Sequence, residues 1–163
     1  MKELIKSMDM ETYSHFNLKK LLCQRILSKM IKQVIVIRKD LKMRRGEEIV
    51  QACHAAIKAI FLALNNLDEC GWCIRDDKIV FDDDGSVLAD WFNSSYTKIC
   101  LQVNSEEELL DLKERADNLG LACALIQDNG VTEFHNVPTY TCLAFEPLPS
   151  ETIDILTGDL KSY

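Results

Sequence analysis

The chain has 163 residues, of which 47% are hydrophobic, and its formal net charge is −7. This length and composition suit one domain with one real core and exclude a chain that is disordered throughout. The negative charge argues against a protein that coats nucleic acid, because phosphate binding usually needs a basic surface. No apolar stretch approaches the roughly 20 residues that span a bilayer, so we do not expect a membrane-inserted protein.

The seven cysteines bear on the cellular compartment. Their number is odd, and Cys53, Cys100, Cys123 and Cys142 lie inside apolar patterns. Reduced core thiols fit this arrangement better than the disulfide framework of a secreted protein. The N-terminus also lacks the charged start, apolar run and small-residue cleavage site of a secretory signal. We therefore expect a cytoplasmic protein with these thiols in its core.

The first 65 residues predict an extension, a strand and a helix. Residues 1–30 are expected to form a helical extension, and residues 31–163 the domain. A strand is expected over 33–38 and a helix over 46–65, with an apolar face that should lie against a sheet. That predicted face consists of Ile49, Val50, Cys53, Ala56, Ile57, Ile60, Phe61 and Leu64.

Residues 67–96 break into Asp-rich, Gly-containing and aromatic pieces, and beyond them strands alternate with helices. Such alternation predicts an α/β fold with a largely parallel sheet, in which the last two strands, joined without a helix, are antiparallel. Pro147 and Pro149 are expected to end the sheet. The expected elements are a short helix over 87–92, strands over 98–103, 121–127 and 139–145, a helix from the N-cap Asn104 or Ser105 to about Leu119, and a helix over 150–156.

Two polar clusters follow apolar strands, where ligands of open α/β sheets bind. Asp128 comes directly after the strand over 121–127, beside Gly130, and a carboxylate there can orient or deprotonate a water. Thr132 is close enough to share the site. The alternative is an Asx-type turn in which Asp128 only caps the loop backbone. If this strand neighbours the strand over 33–38, its loop faces the same crevice as the basic loop.

The basic loop is the second cluster, and residues 38–45 carry five basic side chains against one Asp. Its place before a helix N-terminus favours anions, so it is either a phosphate clamp or a solvated surface. Any polyanion that binds should bind there. The basic side chains in question include Arg38, Lys42, Arg44 and Arg45.

Gln51 and His54 lie three residues apart, so both can occupy one side of the long helix. They could position a substrate carbonyl or a ribose. From spacing alone, the more ordinary interpretation is favoured, which is a buried His54 hydrogen-bonded to a backbone carbonyl.

Two further motifs carry little weight. Cys70-Gly71-Trp72-Cys73 has redox spacing, but it does not start a helix, and a second pair that could complete a zinc site is missing. The Asp82–Asp84 run lacks the alternating oxygen ligands of an EF-hand loop. Neither motif predicts a metal site or a redox site.

Four sequence blocks follow one another in the predicted domain. They are Arg38-x-Asp40-Leu41-Lys42-Met43-x-x-Gly46, Gln51-x-x-His54-Ala55, Leu125-Ile126-Gln127-Asp128-x-Gly130-x-Thr132, and Ile153-Asp154-x-x-Thr157-Gly158-x-Leu160-Lys161. Each block alone is weakly specific, and their combination is highly specific. Taken together and in order, they resemble the archaeal/eukaryotic-type (class 2) peptidyl-tRNA hydrolases, and the match runs from about Lys32 to Tyr163.

The resemblance implies a compact α/β domain with a four-stranded mixed sheet flanked by helices, often dimeric, that needs no metal or other cofactor. The implied reaction is hydrolysis of the ester that joins a peptide to the terminal ribose of tRNA. Asp128 would position the water, with Thr132, Gln51 and His54 completing the catalytic group. The implied partner is peptidyl-tRNA, held through its backbone by Arg38, Lys42, Arg44 and Arg45.

One position departs from the family pattern. Where the family's loop continues from glycine into a lysine counted among its essential residues, this chain has Glu47. A reversed charge beside a phosphate or a developing oxyanion costs binding and rate. Two hypotheses follow: a hydrolase that works without that lysine, and a catalytically inactive member that serves as a binding or regulatory domain.

Overall fold

A computed structural model describes residues 30–65, 72–75, 78–81 and 87–163 of the chain. Predictions made on the N-terminal extension, on Cys70 and on Asp82–Asp84 lie outside these ranges. The helices and strands are β1 (Ile31–Arg38), α1 (Arg45–Asn65), β2 (Trp72–Arg75), β3 (Lys78–Phe81), α2 (Val87–Phe92), β4 (Lys98–Val103), α3 (Glu106–Asn118), β5 (Cys123–Asp128), β6 (Thr139–Phe145), β7 (Leu148–Pro149), α4 (Ser150–Thr157) and β8 (Lys161–Ser162).

The main sheet has the strand order β5-β6-β1-β4-β8, with β7 paired beside the start of β1, and β2 and β3 form a separate hairpin. The prediction of an α/β fold with a mixed sheet is confirmed, and the four predicted strands are the four adjacent long strands of this sheet. The predicted number of strands was too low, because β7 and β8 have two residues each and leave no periodic pattern. Pro147 and Pro149 do not end the sheet, since β7 pairs with β1.

The prediction of a largely parallel sheet was wrong. Among the described strands only β1 and β4 pair in parallel, whereas β6 is antiparallel to both β1 and β5. The prediction of an antiparallel closing pair, β5 and β6, is confirmed. Because β6 inserts between β1 and β5, these two strands point the same way without being neighbours. Their carboxyl ends therefore lie at one edge of the sheet, separated by the start of β6.

β1 is buried on both faces, and successive side chains serve two separate cores. Val34 and Val36 pack with α3 and α4, whereas Ile35 and Ile37 pack against α1. α3 begins as predicted, since the Ser105 hydroxyl caps it by accepting from the Glu108 amide. This two-sided layering fixes α1 over β1, β5 and β6, and the N-terminal end of α1 lies where the basic loop arrives.

The face of α1 that packs on the sheet was predicted only in part, since Ala56 is buried and Ile60 and Leu64 are half-buried, whereas the other five residues of the predicted face are exposed. The buried stripe consists of Gln51 and four alanines, Ala55, Ala56, Ala59 and Ala63. Small side chains let the helix approach the sheet closely, Ile60, Leu62 and Leu64 pack partly against the core, and five apolar residues of α1 point away from it. We call these residues the outward stripe: Ile49, Val50, Cys53, Ile57 and Phe61, all exposed, with Phe61 62% exposed.

The expectation of core thiols holds for only two of the four cysteines. Cys123 and Cys142 are buried, whereas Cys53 and Cys100 are exposed. Cys53 belongs to the outward stripe, and Cys100 lies on β4. Burial raises the pKa of both the Cys123 and the Cys142 thiol to about 12. No helix in the described part of the chain is long and apolar enough to cross a membrane.

Candidate functional site

The basic loop after β1 is fixed by side chains that alternate between the core and solvent. Met43 is buried against the α1 core and Leu41 packs partly against it. Lys42 has a φ of 51°, in the left-handed region, and this turns the chain back toward α1. The side chains of Lys42, Arg44 and Arg45 therefore project outward at the N-terminal end of α1.

Arg38 lies inside the fold and is only 8% exposed. Its guanidinium bonds both carboxylate oxygens of Asp40, at 3.2 and 2.7 Å, and it also reaches Glu106 at 2.8 Å and the Tyr140 carbonyl at 3.0 Å. The hydrogen bond to Asp40 is the main cause that raises the pKa of Arg38. Arg38 thus ties β1 to α3 and β6, and its predicted contact with tRNA stays a prediction.

An ion pair links the basic loop to the loop after β5. The Arg44 side chain donates to Glu133 at 2.7 Å, and the Arg44 backbone amide donates to the other Glu133 oxygen at 3.1 Å. This contact raises the pKa of Arg44 and lowers that of Glu133. The two loops therefore meet, although the strands that lead into them are not the neighbours on which this expectation depended.

Gln51 and Asp128 are brought together from positions 77 residues apart. The Gln51 Nε2 group donates to Asp128 Oδ2 at 2.7 Å. Gln51 is 1% exposed, whereas Asp128 is half-buried at the end of β5. A fixed donor from the buried side orients the carboxylate toward the open edge of the sheet.

Asp128 also caps its own loop, so the predicted Asx turn is present as well as the contact with Gln51. Its Oδ1 accepts the Gly130 amide at 2.6 Å. Gly130 has a φ of +80°, and a Cβ there would come within 2.4 Å of the Val137 carbonyl oxygen. Only glycine fits at this position, and the turn leaves Asp128 held through both oxygens.

The two remaining catalytic candidates are exposed. Thr132 lies on the same loop, four residues beyond Asp128, and His54 lies on α1, one turn beyond Gln51. The expectation of a buried His54 was wrong, because the buried stripe of α1 passes through Gln51 and Ala55 and leaves His54 outside. The catalytic roles of Thr132 and His54 stay predictions.

Three contacts of the site escaped the sequence analysis. Glu47 Oε1 accepts from Gln51 Nε2 at 2.8 Å, and the buried Thr141 hydroxyl donates to Gln51 Oε1 at 2.9 Å. Glu133 holds Arg44. A polar Thr141 inside the apolar strand Thr139–Phe145 was the available signal, since buried hydroxyls need partners. The spacing of Glu47 and Gln51, one helical turn apart, was a second signal.

Basic side chains at this edge of the sheet are concentrated in one loop, whereas most of the domain is acidic. Five of the 13 basic residues in the 30–163 part of the chain lie between Arg38 and Arg45, whereas the same part carries 23 acidic residues. Lys39 lies over the Tyr163 ring, 4.4 Å from its centroid, and the Tyr163 hydroxyl contacts Glu48. A concentrated basic patch thus stands beside the Glu47 and Asp128 carboxylates on an otherwise acidic domain.

Residues 31–163 match the family described as Peptidyl-tRNA hydrolase PTH2. A peptidyl-tRNA hydrolase of Thermococcus sibiricus is 37% identical over 132 residues, covering 80% of this chain and 95% of that protein. One from Saccharolobus solfataricus is 34% identical, covering 81% and 98%.

A probable peptidyl-tRNA hydrolase 2 of Dictyostelium discoideum is 39% identical over 132 residues, covering 81% of this chain and 54% of that longer protein. The similarity to all three proteins extends over at least four-fifths of the chain. The resemblance drawn from the four sequence blocks is confirmed, and the chain belongs to the peptidyl-tRNA hydrolase PTH2 family.

Proposed function

We propose that the chain hydrolyses the ester bond of peptidyl-tRNA, or of N-blocked aminoacyl-tRNA, and releases free tRNA. The observation that carries this proposal is the 2.7 Å contact between Gln51 and Asp128 at the sheet edge where the basic loop also ends. Relatives that share one third or more of their residues with this chain bear the name of that activity.

In the proposed reaction, Asp128 orients a water and takes a proton from it as the water attacks the ester carbonyl. The ester bond then breaks, leaving a peptide carboxylate and the ribose hydroxyl of the tRNA. Gln51 holds the carboxylate in position, and Thr132, exposed on the same loop, is assigned a hydrogen bond to the reacting ester. An activated ester needs no stronger nucleophile.

We assign tRNA backbone binding to Lys42 and Arg45, whose side chains are exposed beside the site. Arg44 is shared with Glu133, so its part is to keep the two loops together as well as to add charge. Arg38 is assigned an indirect part, since its donors are engaged inside the fold. Phosphate contacts of this kind position the substrate without reading its sequence.

The test is the release of N-blocked amino acid from tRNA by the purified protein, beside Asp128→Ala and Glu47→Lys. Turnover that Asp128→Ala abolishes supports a hydrolase that works with Glu47 in place of the family's lysine. No turnover in the wild type, with turnover gained in Glu47→Lys, would contradict the proposal and favour the inactive, regulatory member.

We also propose that the protein acts in the cytoplasm, which agrees with the free thiols Cys123 and Cys142.

We further propose that the protein forms a homodimer through the outward stripe of α1. The stripe is uncharged and extends over about three turns, and a two-fold axis can pair it with itself. Phe61→Glu should then yield a monomer in sedimentation equilibrium. Ile155→Glu, at an exposed apolar position on α4, is the matched control. A monomeric wild type would contradict this assembly.

A further inference from the structure

Every hydrogen-bonding group of the Gln51 side chain has a partner. Its Nε2 group donates to Glu47 Oε1 at 2.8 Å and to Asp128 Oδ2 at 2.7 Å, and its Oε1 accepts from Thr141 at 2.9 Å. Gln51 is 1% exposed and Thr141 is fully buried. This amide therefore connects two carboxylates at the sheet edge to a hydroxyl in the core.

The partners decide which way the amide faces. Ionised carboxylates only accept hydrogen bonds, so the NH₂ end must face Glu47 and Asp128, and the oxygen must face Thr141. Thr141 is fixed by its place in β6. Glu47 is fixed by α1, because it lies one turn before Gln51 on the same helix. The terminal torsion of a glutamine is otherwise broad, and these two anchors restrict it.

We propose that Glu47 is a positioning residue for the reaction, acting through Gln51 on Asp128; this inference rests on the proposed hydrolase function. By occupying one N–H of the amide, Glu47 directs the other N–H at Asp128 Oδ2. Without Glu47 the buried amide loses one of its two acceptors and rotates away from its best geometry. Asp128 then loses the constant donor that aims it at the water, and small displacements of such groups slow reactions strongly.

The role is that of a hydrogen-bond acceptor, and the chain offers variants that isolate it. Glu47→Gln keeps an oxygen at the same reach without the charge, whereas Glu47→Ala removes the acceptor. Glu114→Ala is the matched control, because Glu114 is exposed on α3, which packs on the other face of the sheet. All variants are made in the full chain.

The first readout needs no substrate. In ¹⁵N-labelled protein, exchange of the Gln51 side-chain amide protons with water should be slow in the wild type, in Glu114→Ala and in Glu47→Gln. In Glu47→Ala it should be about tenfold faster or more, since one N–H is freed. The second readout is turnover: Glu47→Ala should lower kcat about tenfold with KM within about twofold, and Glu47→Gln should restore kcat to within about threefold of the wild type.

Two results would overturn the inference. One is a Glu47→Ala protein that matches Glu114→Ala in both amide exchange and kcat. The other is a Glu47→Gln protein as impaired as Glu47→Ala, which would mean that the charge and not the acceptor matters. If the folded wild type shows no turnover, the hydrolase function fails, and the amide exchange still decides whether Glu47 positions Gln51.

Discussion

Two buried glutamines, Gln33 on β1 and Gln51 on α1, lie between that helix and the sheet and have opposite surroundings. Gln33, in the first half of β1, donates to the Ala56 carbonyl at 2.9 Å and to the Phe145 carbonyl at 3.3 Å. Its Oε1 has no hydrogen-bond partner in the described part of the chain. The Gln51 side-chain amide instead forms hydrogen bonds with Glu47, Asp128 and Thr141. Both residues are at most 1% exposed.

The difference shows that burial of a polar side chain does not by itself mark a site. Gln33 bonds only backbone carbonyls, which join α1 and β6 to β1, so its role is to fix the helix on the sheet. Gln51 bonds two ionisable side chains that lie at the open edge. The kind of partner, and the place of that partner at the carboxyl ends of strands, distinguishes the functional residue from the structural one.

Apart from the loss of the Asp128 carboxylate itself, the largest effects should come from replacing each glutamine by methionine, which keeps length and apolar volume. Gln51→Met should lower kcat for N-blocked aminoacyl-tRNA about 100-fold, because Asp128 loses its donor. Gln33→Met should leave kcat within about twofold of the wild-type value. It should lower the free energy of unfolding by about 1–2 kcal/mol, because two hydrogen bonds are lost. Steady-state kinetics and urea unfolding measure the two quantities. Equal loss of kcat in both variants would remove the distinction.

Alkylation tests whether the interface that buries both glutamines is closed. Cys142 lies in it, with its thiol donating to the Gln51 carbonyl at 3.2 Å, and its pKa of about 12 leaves almost no thiolate at pH 8. In the Phe61→Glu variant, in which the outward stripe is not covered by a second copy, iodoacetamide should modify Cys53 at least about tenfold faster than Cys142 or Cys123. Peptide mass spectrometry gives the rates. Equal labelling of Cys53 and Cys142 in folded protein would show that the interface opens.

Salt dependence tests whether the edge near Gln51 is a tRNA surface. Replacing both Lys42 and Arg45 by glutamine should make the slope of log K for tRNA binding against log salt shallower by about 1.5. Each phosphate contact contributes about 0.7–0.9 to that slope, and two contacts are removed. The control replaces both Lys113 and Arg115 by glutamine. These residues lie on α3, so the control loses the same charge on the other face of the sheet. An unchanged slope in the Lys42/Arg45 variant would exclude the basic loop.

The smallest effect concerns the link between the two loops. The Arg44 contact lowers the pKa of Glu133 in the folded state from its ordinary 4.5, so the pair stabilises the fold above pH 4.5 and is lost as the pH falls through the lowered value. The Arg44 backbone amide, which donates to Glu133, should report this as an NMR titration step below pH 4.5. The step should vanish in Glu133→Gln. Its persistence there would assign it to another group.

Much of this architecture could be predicted from the sequence, because periodic apolar runs and capping residues act locally. The helices over Arg45–Asn65 and Glu106–Asn118 and the four central strands lie close to their predicted positions. The burial of α1 could not be predicted. The helix carries two apolar stripes, and the tertiary context selected the one with small side chains, because alanines allow the closest approach to the sheet.

The site was predicted in part. Asp128 and Gln51 were found by their residue types, their places beyond a strand and on a helix, and the family blocks. The argument that their loops meet assumed that β1 and β5 are neighbours, and β6 lies between them. The contacts of Glu47, Glu133 and Thr141 depend on this insertion and on the rotation of α1, which no local pattern encodes.

The most direct test of the central claim is single-turnover hydrolysis of N-blocked aminoacyl-tRNA by the wild type and by Asp128→Asn. Asparagine keeps an oxygen for the Gly130 amide, so the loop turn survives, but the NH₂ group that replaces Oδ2 cannot accept from Gln51 and cannot take a proton from water. We expect the Asp128→Asn rate to fall by about 1,000-fold while the free energy of unfolding changes by about 1 kcal/mol. A folded Asp128→Asn protein with a rate within tenfold of the wild type would contradict the assignment of Asp128.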